Sequence, residues 1–229
     1  MKKLTLGLIL ISLLSCQSNK KKEDSANTWT PLWNGHDITG WHSYLATPYN
    51  LEIDSLGNTI EPFGIDNDPL EVIKVVETDQ GNAIRISGVA WGMIYTEGEF
   101  KNYHLKLKVK WGKDMHPPRE NGPRDSGLLY HGFGEPGSAD YWMGSQELQI
   151  QQGDIGDYWP VGDVDLVVWG DSSIHIVNGK VVMRLFNSRI RTSKKPLNSG
   201  KVILQSEGAE VYYKDIYIKN ILELPEFFR

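Results

Sequence analysis

Between Gly144 and Gly162 the chain reads GSQELQIQQGDIGDYWPVG. Glu147, Gln149 and Gln151 alternate with Leu148 and Ile150, so the polar side chains share one face of a strand and the apolar ones the other. Two acids, Asp154 and Asp157, and two rings, Tyr158 and Trp159, follow in a stretch broken by Gly and Pro, with Trp142 just upstream. Acids and amides hydrogen-bond sugar hydroxyls, and aromatic rings cover the apolar faces of pyranoses. The pattern suits a sugar groove, although any half-solvated strand alternates in the same way.

One acid among amides narrows the chemistry. Jelly-roll glycosidases of the laminarinase type carry E-x-D-x-x-E on one strand, which sets two carboxylates at the separation that retention needs. Here that register reads Glu147-Leu148-Gln149-Ile150-Gln151-Gln152. An amide is neither a nucleophile nor a proton donor of useful acidity, so the usual two-carboxylate route is disfavoured. His131 is a second candidate for acid–base work, because imidazole titrates near neutrality; alternation within Leu128–His131 leaves open which way it faces. His131 and Glu147 together could also hold a divalent ion, but two ligands without diagnostic spacing leave the metal unassigned.

These residues need strands to position them. Tyr103, Leu105, Leu107, Val109 and Trp111 alternate with His104, Lys106, Lys108 and Lys110, which predicts a long strand with one buried and one solvated face. Val177-Asn178-Gly179-Lys180 predicts a two-residue hairpin turn, since Asn-Gly tolerates the positive φ required. That register puts Ile174, Ile176, Val181, Met183 and Leu185 on one face. It puts His175, Val182 and Arg184 on the other, making His175 a surface residue. A last strand runs from Glu210 to Lys219, with Val211 and Tyr213, then Ile216 and Ile218, apolar. No window sustains a helical period from Trp29 onward. The expectation is an all-β, concanavalin-like jelly-roll sandwich of two antiparallel sheets in one domain, residues 29–229.

The chain has 229 residues and a net charge of −5, with no clustered basic footprint, so nucleic acid is excluded as a partner. Lys2 and Lys3 followed by an apolar run from Leu4 to Leu14 read as a secretory signal, too short to span a bilayer stably. Leu13-Leu14-Ser15-Cys16 resembles a bacterial lipoprotein signal over residues 1–15, with lipid attachment at Cys16, the only cysteine. Removing that signal leaves 22 basic against 29 acidic side chains, a charge of −7. Residues 16–28 are polar and read as a disordered tether like those of lipoproteins in Bacteroides-like bacteria. The expected location is the cell envelope, lipid-anchored at the outer membrane on its periplasmic or surface face.

Five motifs in order resemble the 3-keto-disaccharide hydrolase domain family, formerly a domain of unknown function. PLWNGHDITGWHSY (Pro31–Tyr44) is similar to its LFNGKDLSGW opening, and TEGEFKNYHLKLKVKW (Thr96–Trp111) to its next strand pair. DSGLLYH (Asp125–His131) is similar to NSGIFFR, ELQIQQGDIGDYWPVG to its E-x-Q-I-x-D strand and loop, and HIVNGKVV to its late hairpin. Asp125 stands where the family usually has Asn and His131 where Arg is common, and the stretch from Gly162 to Ser172 is short against the usual pattern. The resemblance implies a 3-keto-glycoside lyase and 3-keto-2-hydroxy-glucal hydratase. A ketone at C3 acidifies the C2 hydrogen, a base removes it, the C1 substituent leaves, and water adds to the glucal. On that reading Glu147, His131 and Asp154 are catalytic candidates. Glu97, Arg124, Ser126, Trp142, Gln149, Gln151, Asp157, Tyr158 and Trp159 hold the sugar. A separate oxidoreductase supplies the keto group. The alternatives are a noncatalytic carbohydrate-binding lipoprotein of the same fold, or an ordinary glycoside hydrolase.

Overall fold

The computed structural model describes residues 28–49, 51–153 and 162–226. In chain order the strands are β1 (Thr30–Pro31), β2 (Trp41–Leu45), β3 (Gly64–Ile65), β4 (Ile73–Thr78), β5 (Gly81–Ile86), β6 (Gly92–Thr96) and β7 (Tyr103–Met115). There follow β8 (Asp125–Phe133), β9 (Gly144–Gln151), β10 (Gly162–Trp169), β11 (Ser172–Val177), β12 (Lys180–Leu185), β13 (Lys201–Ser206) and β14 (Ala209–Asn220). An eight-stranded sheet runs β12-β11-β10-β7-β14-β5-β4 with β1 added to β14, and a six-stranded sheet runs β3-β2-β6-β13-β8-β9. All pairings are antiparallel, and the two sheets face each other over one core, as the jelly-roll expectation required.

The strand periods carry this arrangement. Tyr103, Leu105, Leu107 and Val109 of β7 are buried against Leu128, Leu148, Ile150 and Leu204 of the other sheet, while the Lys106–Lys110 row faces outward. In β14 the apolar phase slips between Tyr213 and Ile216. The ladder to β7 shifts at that point, with Asp215 at φ 52°, which is the signature of a β-bulge. Asn178 and Gly179 take positive φ at the β11–β12 turn, as their sequence demands.

One hairpin assignment is corrected. His175 is not at the surface: it is 3% exposed, and the Tyr130 hydroxyl lies 2.9 Å from its Nε2. Both faces of β11 are covered, Ile174 and Ile176 by Val181 and Ile221 outside and His175 by the sheet opposite, so alternation alone could not say which side was solvent. A register shift at His175/Ile176 pairs His175 with Met183 and Ile174 with Arg184, moving Met183 and Leu185 off the face shared by Ile174 and Ile176.

Candidate functional site

The site lies on the outer face of the six-stranded sheet, at the β13-β8-β9 edge. Antiparallel register sets Asp125 opposite Gln151, Gly127 opposite Gln149 and Leu129 opposite Glu147. Leu128, Leu148 and Ile150 enter the core, so Asp125, Gly127, Glu147, Gln149 and Gln151 face the other way. This is the polar row that the alternation of Glu147, Gln149 and Gln151 predicted.

Arg119, from the connection between β7 and β8, organises that face. Its Nη1 donates to Asp125 Oδ2 and its Nη2 to Glu207 Oε1 at 2.5 Å. Asp125 also accepts from the Gln149 amide, and from the Gln151 amide at 2.9 Å. With its oxygens so engaged, the carboxylate fixes both glutamines and the arginine. Gly127 leaves the space beside it: a Cβ there would collide with Gln205 Oε1 and Glu147 Oε1, so both side chains lie across the glycine. The Gln205 oxygen is buried without a partner.

The carboxyls around Arg119 are perturbed. Burial raises Glu207 to about 7, with like charge from Asp125 adding and Arg119 opposing. Burial raises Glu147 to about 7 as well, again with Asp125 adding and Arg119 opposing. Glu147 keeps more than a third of its surface in solvent, which works against so large a shift, whereas Glu207 is 7% exposed and has no such relief. Two carboxyls poised near neutrality beside one guanidinium can hold and move protons.

Trp142 borders the same face: its ring stacks on Trp91 at 5.9 Å and its Nε1 donates to Gly92 O at 2.9 Å. Arg124 borders the far edge, its Nη1 3.1 Å from Gln152 Oε1. Asp154, Asp157, Tyr158 and Trp159 lie outside the described residues, as does Cys16.

Three candidates are placed elsewhere. Ser126 points into the core, its hydroxyl 2.9 Å from Gln205 O and 2.7 Å from Tyr213 Oη, because it occupies the inward phase of β8. Glu97 sits past the end of β6, three strands from Glu147, with His42 Nε2 3.8 Å from its Oε1. His131 falls in the β8 bulge at φ 55°, is 1% exposed, and packs edge-on against Tyr130. Burial lowers it to about 4, and the charge acting on it is that of Asp171 rather than Glu147. The structure therefore does not bring His131 and Glu147 together. Among the described residues no group of three or more His, Cys, Asp or Glu is arranged to hold a metal ion.

The sequence reading missed Arg119, Glu207, Gln205, Trp91 and the space at Gly127. Arg119 stands in a Gly- and Pro-rich connection and Glu207 in a Glu-Gly hairpin turn, places where charges ordinarily face water. The one signal was Asp125, an acid at the start of a mostly apolar or small strand, which when buried needs a cation or hydrogen-bond donors beside it. The short stretch from Gly162 to Ser172 is β10 and its turn, in the opposite sheet.

The fold defines a two-sheet jelly-roll protein of the concanavalin- and galectin-like class. The chain belongs to the family of 3-keto-alpha-glucoside-1,2-lyase-like domains, whose model matches residues 28–167 and 162–219. That membership places it among carbohydrate-active proteins. Among solved structures it is similar to two candidate glycosyl hydrolases from Parabacteroides distasonis ATCC 8503. One is 18% identical at a TM-score of 0.57, covering 88% of this chain and 97% of that one. The other is 16% identical at 0.53, covering 85% and 100%. A Bacillus subtilis protein of unknown function with a galectin-like fold is 10% identical at 0.53, covering 87% and 98%. At these identities the likeness is one of fold. No curated protein matches the chain.

Proposed function

We propose that the groove binds a 3-keto-glycoside and cleaves it by β-elimination followed by hydration. The observation that carries this reading is the gathering of Glu147 and Glu207 around the Asp125–Arg119 ion pair on one sheet face, where burial raises both carboxyls. Ionised Glu147, at the open side of the floor, takes the C2 proton. Arg119 supplies positive charge beside the enolate oxygen that develops at C3. The C1–O bond then breaks as the C1–C2 double bond forms, and the neutral Glu207 carboxyl protonates the departing oxygen. Water adds its hydroxyl to C1 and gives its proton to the Glu207 carboxylate, while Glu147 returns its proton to C2, so both carboxyls are restored and the net reaction is hydrolysis. Gln149 and Gln151 hold Asp125, and so Arg119, in register. Lipid attachment through Cys16 and a separate oxidoreductase that oxidises the substrate at C3 complete the proposal.

The test mixes the purified protein with a chromogenic 3-keto-glucoside and with its unoxidised parent, with and without chelator. Release from the keto sugar alone is expected, with a transient enone absorbance, and chelator sensitivity reports whether a divalent ion assists. Release from both would return the reaction to ordinary hydrolysis. Binding without release would make this a sugar-binding protein. The Glu147→Gln variant is expected to bind substrate and to lose at least about 10²-fold in kcat; undiminished turnover would remove Glu147 from the mechanism.

A further inference from the structure

The outer face of the eight-stranded sheet, across the sandwich from Glu147, carries a hollow that the proposed reaction does not use. Ile84, Ile86, Val109, Val211 and Tyr213 enter the core, so their neighbours along β5, β7 and β14 point outward. Register then sets the walls. One line across the strands holds Lys110, Tyr212, Arg85 and Lys74. Beside it, Lys108 stands directly opposite Lys214, and Val76 opposite Ala83. Like charges facing each other across a ladder repel, a cost that an anion between them would remove. Lys110 lies two residues along β7 on the same face, so three ammonium groups share one patch.

The hollow is built rather than incidental. Buried Glu210 holds one wall: its Oε1 accepts from Arg85 Nε at 2.7 Å and from the Tyr212 hydroxyl at 2.9 Å, and its Oε2 from Lys113 N at 2.9 Å. Gly112 makes room for that carboxylate, since a Cβ there would collide with it. The cavity measures about 310 Å³, enough for a small ligand. Ala83 and Val76 line it, and Ala83 is 3% exposed although it points outward, so it lies at the bottom. The β4–β5 turn closes one end, where Lys214 Nζ donates to Gln80 O at 2.8 Å. Lys108 Nζ lies 3.4 Å from Asp215 Oδ2 with both side chains nearly half exposed, a weak pair that another anion readily displaces. From β7 to β4 is three interstrand steps, about 14 Å. The lysines stand at the β7–β14 end, and the carboxylates Glu77 and Asp79 at the β4 end.

We infer that this hollow binds an acidic sugar, a pyranose bearing a carboxylate or sulfate, and so forms a second carbohydrate site independent of the reaction face. A neutral sugar would leave the lysine patch unanswered, and a bare anion would leave the apolar floor and the acidic end unanswered. A ring with an oxyanion on one side and hydroxyls on the other satisfies both. Its apolar face rests on Ala83 and Val76 beside the Tyr212 ring. Its oxyanion takes charge-assisted hydrogen bonds from Lys108, Lys110 and Lys214, and its hydroxyls donate to Glu77.

The experiment titrates the purified protein by calorimetry with sodium glucuronate, glucose 6-sulfate, glucose and inorganic sulfate. At least one acidic sugar is expected to bind about tenfold more tightly than glucose or inorganic sulfate, and to weaken as salt rises; the tighter of the two identifies the oxyanion. Lys108→Gln and Lys214→Gln should each reduce that affinity severalfold. Ala83→Val, which fills the floor and keeps every charge, should reduce acidic-sugar binding and leave inorganic sulfate unchanged. Lys74→Gln, on the same face but outside the cavity, is the control, and Glu147→Gln should bind acidic sugars as the wild type does. Glucose bound as tightly as both acidic sugars, inorganic sulfate bound as tightly as either, or affinity that survives both lysine variants overturns the inference. So does affinity lost in Glu147→Gln, which would move the ligand to the reaction face. Adsorption to phosphatidylglycerol vesicles without acidic-sugar binding would assign the lysines to a membrane surface and overturn it as well. None of these readouts depends on turnover, so the proposed reaction and this site stand or fall separately.

Discussion

Replacing Gly127 by alanine adds one methyl at the centre of the groove floor. Gly127 has no positive φ, so alanine is compatible with the backbone and the effect is one of contact. The new Cβ would lie 2.9 Å from Leu129 Cδ1 and nearer still to Gln205 Oε1 and Glu147 Oε1. Gln205 is buried and cannot withdraw freely, whereas the half-solvated Glu147 can swing outward. Overpacking of this kind costs about 1–3 kcal/mol, offset by about 0.4–1 kcal/mol from the glycine freedom removed in the unfolded chain. A net loss of about 1–2 kcal/mol lowers Tm by roughly 3–6 °C in a domain of this size. The catalytic consequence is larger, because displacing a base by about 1 Å costs on the order of 10²-fold. Glu147 acts ionised, so kcat/KM rises with pH through its pKa, about 7 in the wild type. Swung into solvent, it loses the burial that raised it, and the acid limb of the profile moves toward the ordinary glutamate range. Calorimetry and a pH–rate profile measure both effects, with Gly98→Ala as control, since there the nearest atom, Phe100 Cζ, is 3.8 Å away. An unchanged Tm together with an acid limb still near 7 would refute the argument that the bare glycine positions Glu147.

Further predictions follow from the same contacts. Glu207 titrates higher in the folded protein than in the unfolded chain, so its contribution to stability is full below about 4.5 and is lost as pH rises through about 7. Glu207→Gln should therefore improve stability, relative to wild type, more at pH 8 than at pH 4.5, by on the order of 3 kcal/mol; an equal effect at both pH values would show that Glu207 is not held neutral by burial. His131 and His175 are lowered to about 4 by burial, so the unfolded chain takes up their protons first, and stability falls as pH drops from about 6.5 toward 4. Urea titrations should show that slope flatten in His175→Gln. Ser126→Ala leaves the buried Tyr213 hydroxyl without its partner and should cost about 1–3 kcal/mol, with kcat per folded molecule retained; a loss of kcat without loss of stability would return Ser126 to the groove.

What the sequence determined by itself was whatever rests on local period and turn chemistry. The alternation of Tyr103 to Trp111 defined β7, and Asn178-Gly179 closed a hairpin. Glu147, Gln149 and Gln151 were legible as one polar row because a strand sends successive side chains to opposite faces. What only the tertiary structure decided was which face meets water and which distant residues meet each other. Period 2 sorts side chains into two sets without labelling either as core, so a His175 covered from the opposite sheet read as exposed, and a bulge turned His131 away from the face its neighbours share. Arg119 and Glu207 stand 88 positions apart and join at Asp125 only because β13 pairs with β8. The raised carboxyls of Glu207 and Glu147 owe their shift to burial and to the neighbouring charge of Asp125, properties of the assembled sheet that no local stretch of the chain contains.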